Sequence, residues 1–139
     1  MQRERNQSDC TAIYGTAISS RSLDAQTSGC KHLVIFQHIP WFLKDPNEEK
    51  EYFNIELNLR LRMLDKFHKA GVKTIFCGHY HRNAGGFYQN MEEVVTSAMG
   101  CPLGDDKSGL RVVRVFDKEI KHQYYAMSEI PKTIDLQPS

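Results

Sequence analysis

The chain has 139 residues, of which 40% are hydrophobic, 10% aromatic and 25% charged, and this is the composition of one ordinary folded domain. A disordered or collagen-like chain is therefore excluded. Lys and Arg total 18 and Asp and Glu total 17, and no segment concentrates one sign of charge, so we expect no nucleic-acid partner. The longest unbroken apolar run, residues 33–36, is too short to cross a bilayer, so we expect no membrane partner.

The first 28 residues are predicted to be loosely ordered or unrelated to the rest of the chain. They are rich in Ser, Thr, Gln and Arg and show no sustained period, although residues 11–20 could form a brief strand or turn. No apolar segment typical of a secretory signal follows the first residues, so we expect a cytoplasmic protein. The four cysteines lie far apart, without a Cys-x-x-Cys pair, and we expect them to be reduced thiols.

Regular patterns begin after this segment. The β-rich apolar run 33–36 predicts a strand buried on both faces, and the charged, proline-containing stretch 44–51 predicts an exposed loop. Apolar residues then recur at helical spacing, so we expect a helix from Glu56 to Ala70. Gly71 follows where a left-handed cap is usual.

A second predicted strand, residues 72–77, completes a strand, helix and strand order, which predicts two parallel strands joined by a right-handed crossover. Gly85-Gly86 indicates a turn. Three further strand-like segments follow, at residues 91–99, 110–116 and 120–125. The fold class is therefore α/β, with mixed sheets and an antiparallel C-terminal portion.

Three of the six histidines directly follow predicted strands: His38 after the first, and His79 and His81 after the second. Because the carboxyl ends of parallel strands meet at one edge of a sheet, we expect these side chains to lie together. In an extended segment His79 and His81 would point to the same side. Neutral imidazole is a common ligand for zinc, manganese and iron, so this edge is a candidate metal site. The alternative is that one or both of His79 and His81 are hydrogen-bonded in a loop.

Two segments resemble motifs of a known enzyme family. Residues 36–40, Phe-Gln-His-Ile-Pro, and residues 76–81, Phe-Cys-Gly-His-Tyr-His, are similar to the last two motifs of the calcineurin-like metallophosphoesterases. The longer string 79–86, with 88–90 and 100–104, resembles a serine/threonine protein phosphatase of that family. The resemblance extends over residues 29–130.

This resemblance implies a four-layer αββα sandwich and a site for two divalent metal ions, with manganese, iron, zinc and magnesium all eligible. His38 and His79 match ligands of one metal, and His81 matches a ligand of the other. In that chemistry the metals hold the phosphate and activate a bridging hydroxide that attacks phosphorus in line. The implied substrate is a phosphoprotein. Arg82 and Asn83 are candidate substrate-binding residues because they adjoin the ligands.

Three motifs of the family's first half, Asp-x-His, Gly-Asp-x-x-Asp and Gly-Asn-His-[Glu/Asp], do not occur in this sequence. We therefore expect residues 29–130 to form the C-terminal half of a phosphoesterase domain, after an unrelated segment 1–28 and before a tail 131–139. A truncated isoform or fragment of this kind would be impaired as a phosphatase. It would leave the strand 33–36 with an unpaired edge that favours self-association. The alternative is a non-catalytic fragment that acts as a binding or regulatory module.

Overall fold

The computed structural model describes residues 10–14 and 30–139. The expectations for residues 1–9 and 15–29 lie outside this part of the chain. In chain order the elements are β1 (Cys10–Tyr14), β2 (Cys30–Gln37), α1 (Leu57–Lys69), β3 (Val72–Cys77), β4 (Ala84–Tyr88), β5 (Met91–Val95), β6 (Gly109–Val115), β7 (Ile120–Ala126) and a 3-10 turn (Met127–Glu129). Within the described ranges, no helix combines the length and the apolar character that crossing a membrane requires.

Five strands form one mixed sheet in the order β1-β2-β3-β5-β4. Strands β1, β2, β3 and β5 pair in parallel, which confirms the parallel arrangement predicted for the strands on either side of the helix, and β4 is antiparallel to β5. The expected unpaired edge on β2 is wrong. Strand β1 pairs along it, and the β-forming residues Thr11, Ile13 and Tyr14 explain why this short segment can act as a strand.

Helix α1 confirms the predicted helix almost residue for residue. The Glu56 carboxylate accepts hydrogen bonds from the backbone N–H groups of Asn58 and Leu59, at 2.9 Å each, and so caps the N-terminus. The helix ends at Lys69, and Ala70 is its C-cap residue. Gly71 then adopts a φ of +86°, the left-handed conformation in which glycine commonly ends a helix.

The main core lies between α1 and one face of the five-stranded sheet. Leu33, Ile35 and Ile75 of the sheet pack with Leu64 and Phe67 of the helix, and all five are buried. Burial of such side chains contributes roughly 1.5–3 kcal/mol each to the free energy of unfolding. This core fixes α1 against β2 and β3, and it therefore fixes the loops that follow these two strands.

The opposite face of the sheet carries the antiparallel hairpin of β6 and β7. Val34, Phe76 and Val94 are buried there, with Ile120 of β7 packed against them. The hairpin confirms the antiparallel C-terminal portion. Phe36 is 43% exposed, so the prediction that 33–36 is buried on both faces is wrong at its last residue. Helix, sheet and hairpin make three layers, and the four-layer sandwich stays a prediction.

The turn predicted at Gly85-Gly86 is wrong, because both residues lie within β4 and pair with β5. Gly85 has a φ of +131°, and a Cβ atom at this position would clash with the backbone carbonyl of Glu93. Its N–H also donates to the carbonyl oxygen of Leu43 at 2.8 Å. These glycines therefore allow neighbouring backbone segments to approach closely, and they do not form a turn.

Candidate metal centre and the cleft beside it

The structure brings two of the three candidate histidines together. The ring centroids of His38 and His79 lie 5.1 Å apart in an edge-to-face arrangement. The N–H of Gly78 donates to the carbonyl oxygen of His38 at 3.1 Å, which ties the end of β3 to the end of β2. His38 is exposed and His79 is half-buried. Their approach follows from the parallel pairing of the strands that precede them.

The extended conformation expected for the His-x-His pair is wrong. His79 and His81 have φ values of 63° and 56°, and the N–H of Tyr80 donates to the carbonyl oxygen of Gly78 at 2.7 Å in a tight turn. Left-handed backbone is uncommon for residues other than glycine and is concentrated at functional sites. The backbone at His79 and His81 is therefore a turn and not an extended strand.

His81 has the orientation that is typical of a metal-binding histidine. Its Nδ1 lies 2.6 Å from the carbonyl oxygen of Cys101, so Nδ1 carries the proton and donates it to that oxygen. Nε2 then keeps a lone pair. Metal-binding histidines commonly donate their second ring N–H to a backbone carbonyl in this way. His81 can therefore be hydrogen-bonded in its loop through Nδ1 and still bind a metal through Nε2.

The described residues do not complete a metal site. Among residues 10–14 and 30–139, no group of three His, Cys, Asp or Glu side chains lies close enough to hold a metal ion. Catalytic zinc sites use three protein ligands, and harder cations such as magnesium or manganese also need carboxylate oxygens. The His38–His79 pair and His81 would therefore supply some of the ligands of a metal centre but not all of them.

An aromatic pair covers His79 from the loop that precedes α1. Tyr52 stacks on the His79 ring with centroids 5.6 Å apart, and Phe53 meets the same ring edge-on at 5.7 Å. Tyr52 is 82% exposed. The exposed loop predicted from the sequence covered residues 44–51 only, and no role was predicted for Tyr52 or Phe53, so these two side chains are additions to the candidate site. Their signal in the sequence is an aromatic pair directly after a charged loop.

Glu48 organises that loop. Its carboxylate accepts hydrogen bonds from the N–H groups of Leu43, Lys44 and Asp45, at 2.7, 3.0 and 3.1 Å, and from the Asn54 amide at 2.8 Å. Partial burial raises the pKa of Glu48, but the hydrogen bonds from Asn54 and the backbone outweigh it, and the net pKa lies below the ordinary value. Glu48 is therefore ionised at neutral pH and holds the loop in one conformation.

A cleft of about 540 Å³ opens beside His38, between the carboxyl ends of the sheet strands and the hairpin. Apolar side chains of Phe36, Phe76 and Val113 form part of its wall, and the polar groups that line it include Thr96 and Arg111. Concave sites of mainly apolar lining with a few fixed polar groups are typical of ligand binding.

The two candidate substrate-binding residues differ in their contacts, and of the two only Asn83 is hydrogen-bonded to a residue that lines the cleft, Arg111. The guanidinium of Arg82 lies 5.0 Å from the centre of the Tyr80 ring. Asn83 donates from its backbone N–H and side-chain amide to the Asp106 carboxylate, at 2.5 and 3.1 Å. Its side-chain oxygen accepts from Arg111 at 2.7 Å. Asn83 therefore ties two loops together, and direct contact of either residue with substrate stays a prediction.

A buried carboxylate supports the loop after β2, and the sequence analysis did not find it. Glu93 is 2% exposed, and its Oε1 accepts from the N–H of Trp41 at 2.7 Å and from the Cys77 thiol at 3.6 Å. Burial raises the pKa of Glu93 to about 8, although the hydrogen bonds from Trp41, Phe42 and Cys77 oppose this. Burial, together with the neighbouring Glu93, raises the pKa of the Cys77 thiol well above its ordinary value, which disfavours the reactive thiolate form.

Three curated proteins, each named serine/threonine-protein phosphatase CPPED1, are similar in sequence to this chain. It is 51% identical to the Rattus norvegicus protein over 108 residues, which is 78% of this chain and 35% of that protein. Identity to the Bos taurus protein is 54% over 101 residues, with 73% and 32% covered, and to the Homo sapiens protein 51% over 107 residues, with 76% and 34% covered. The chain is similar to the C-terminal part of the CPPED1 phosphatases.

The chain spans about a third of the length of the CPPED1 proteins that it matches. No family model matches it. Identity near 50% to proteins of this name confirms the resemblance to a serine/threonine protein phosphatase.

Proposed function

We propose that this chain forms the C-terminal part of a metal-dependent phosphomonoesterase that acts on phosphoserine or phosphothreonine in cytoplasmic proteins. The observation that carries the proposal is the meeting of His38 and His79 at the ends of two parallel strands, with ring centroids 5.1 Å apart. It is supported by the serine/threonine-protein phosphatase name of relatives about 50% identical to the chain.

In this proposal His38, His79 and His81 are metal ligands. The proton on Nδ1 of His81, donated to Cys101, leaves Nε2 to bind a metal. The expected ions are divalent, two in an intact site, drawn from manganese, iron, zinc and magnesium. Since the described residues hold no group of three ligands, a complete centre needs further donors, and we expect phosphatase activity of this chain alone to be impaired.

A second candidate function is a non-catalytic binding or regulatory module. The observation that favours it is again the absence of a three-ligand group among the described residues. Such a module could also associate with itself or with a partner through a sheet edge. The edge strands of the five-stranded sheet are β1 and β4, and β4 carries Phe87 at 63% exposure.

Hydrolysis of p-nitrophenyl phosphate by the purified chain, with added manganese, separates the two functions. We expect weak hydrolysis that depends on manganese and falls at least about tenfold in the His79→Ala/His81→Ala variant, because the change removes two ligands. His68→Ala is the matched control, since His68 lies on α1, where its ring meets Tyr88. No hydrolysis by the unaltered chain, or the same hydrolysis in the double variant, would favour the binding module.

A further inference from the structure

Arg111 on β6 lies at the cleft beside His38 and is held there by three hydrogen bonds. Its Nε donates to the Thr96 hydroxyl at 3.0 Å, and one terminal nitrogen donates to the Asn83 side-chain oxygen at 2.7 Å. The other terminal nitrogen lies 2.9 Å from Nδ1 of His122. These contacts fix the plane of the guanidinium, so its remaining donors have a defined direction.

The three partners of Arg111 are uncharged acceptors. Because the guanidinium can only donate, Nδ1 of His122 must hold a lone pair, and the proton lies on Nε2, which is 3.1 Å from the Glu92 carboxylate. Glu92 thus reaches Arg111 only through His122. Among the described residues, no carboxylate lies within ion-pair distance of the Arg111 guanidinium.

Arg111 keeps its positive charge in this position, and the Glu92 carboxylate attracts it without forming a direct ion pair among the described residues. Partial burial lowers the pKa of Arg111, but arginine stays protonated in proteins, and two of its five N–H donors are not used by the three contacts. Arg111 lines the cleft together with the apolar side chains of Phe36, Phe76 and Val113. A small anion is the ligand that such a cation binds best.

We propose that Arg111 binds the anionic oxygens of a phosphate group in the cleft, with Thr96 and Asn83 as its positioning residues. The identity of this phosphate as that of a phosphoserine or phosphothreonine side chain rests on the proposed function. The other arginine of β6, Arg114, makes different contacts. Arg114 lies over the Phe116 ring at 5.0 Å and donates to the carbonyl oxygen of Leu136 at 2.7 Å.

Titration of the full chain with inorganic phosphate, in the presence of a metal chelator and followed by NMR, tests the proposal. We expect Arg111→Met to weaken phosphate binding at least about tenfold, because a charge-assisted hydrogen bond is lost. Arg114→Met removes the same charge from the same strand and should leave binding unchanged. Equal phosphate affinity in Arg111→Met and the unaltered chain, or an equal loss in Arg114→Met, would overturn the proposal.

A second measurement needs no variant. In the unaltered chain, phosphate should shift the Nε–H signal of Arg111 and not that of Arg114, and an Arg111 signal that stays in place at saturating phosphate would overturn the proposal. A phosphoserine peptide should compete with inorganic phosphate, whereas its unphosphorylated form should not, and a phosphopeptide that fails to compete would overturn the assigned substrate class.

The outcomes also separate this inference from the proposed function. Phosphate binding through Arg111 in a chain without phosphatase activity would support the inference and count against the proposed function. Phosphatase activity with an unchanged KM in Arg111→Met would overturn the inference and leave the proposed function in place.

Discussion

Replacement of Glu93 by Gln should remove a large part of the pH dependence of the free energy of unfolding. Burial raises the pKa of Glu93 from the ordinary value of 4.5 to about 8. Between these values the folded chain holds a proton that the unfolded chain has released, so stability is fully present below pH 4.5 and is lost as the pH rises through about 8. From pH 5 to pH 8.5 the loss should be on the order of 4 kcal/mol.

Urea unfolding of both chains across this pH range measures the effect. Gln keeps an oxygen to accept the Trp41 N–H and carries no charge, so Glu93→Gln should resemble the unaltered chain at pH 5 and be more stable at pH 8.5. Glu49→Gln, at an exposed loop position, controls for the loss of a carboxylate elsewhere. Parallel stability curves for Glu93→Gln and the unaltered chain would show that Glu93 is not held protonated by the fold.

Replacement of Arg60 by Met should destabilise the chain by about 4 kcal/mol, because it leaves three partly buried carbonyl groups without a donor. Arg60 is 0% exposed. Its guanidinium donates to the carbonyl oxygens of Ile55, Pro46 and Glu48, with the shortest distances 2.7, 3.0 and 2.6 Å. The same change should loosen the loop that places Tyr52 over His79.

Urea unfolding and amide hydrogen exchange of the loop would measure the two parts of this expectation. Arg62→Met is the matched control, because Arg62 lies on the same helix and is exposed. We expect faster exchange in Arg60→Met at Glu51 and Ile55, whose N–H groups are hydrogen-bonded to Asn54 and Trp41, and no change in Arg62→Met. A pair of variants with equal stability and equal exchange would mean that the loop does not depend on Arg60.

The elements that followed from the sequence are those that local patterns determine. Helix α1 was predicted from apolar spacing and from Gly71, and the final hairpin was predicted from two β-rich segments. The approach of His38 to His79 followed from the strand, helix and strand order. Each of these depends on a repeating or contiguous signal that a single sequence contains.

The remaining features depend on contacts between distant segments. Gly85 appeared to mark a turn, but it is constrained by the Glu93 backbone across the β4–β5 pair. Glu93 gave no local sign of burial, although adjacent acids in the strand Met91–Val95 must point to opposite faces of the sheet. Arg111 is a single basic residue in a strand, and its role depends on Asn83 and Thr96, which belong to other segments.

The central claim is that His38, His79 and His81 form a metal-binding edge, and calorimetric titration of the chain with Zn²⁺ tests it most directly. We predict saturable binding that the His79→Ala/His81→Ala variant weakens at least about tenfold, since each imidazole is a proposed zinc ligand. The His68→Ala control should bind as the unaltered chain does. Equal zinc affinity in all three chains would contradict the claim, because the metal would then be held somewhere other than at this edge.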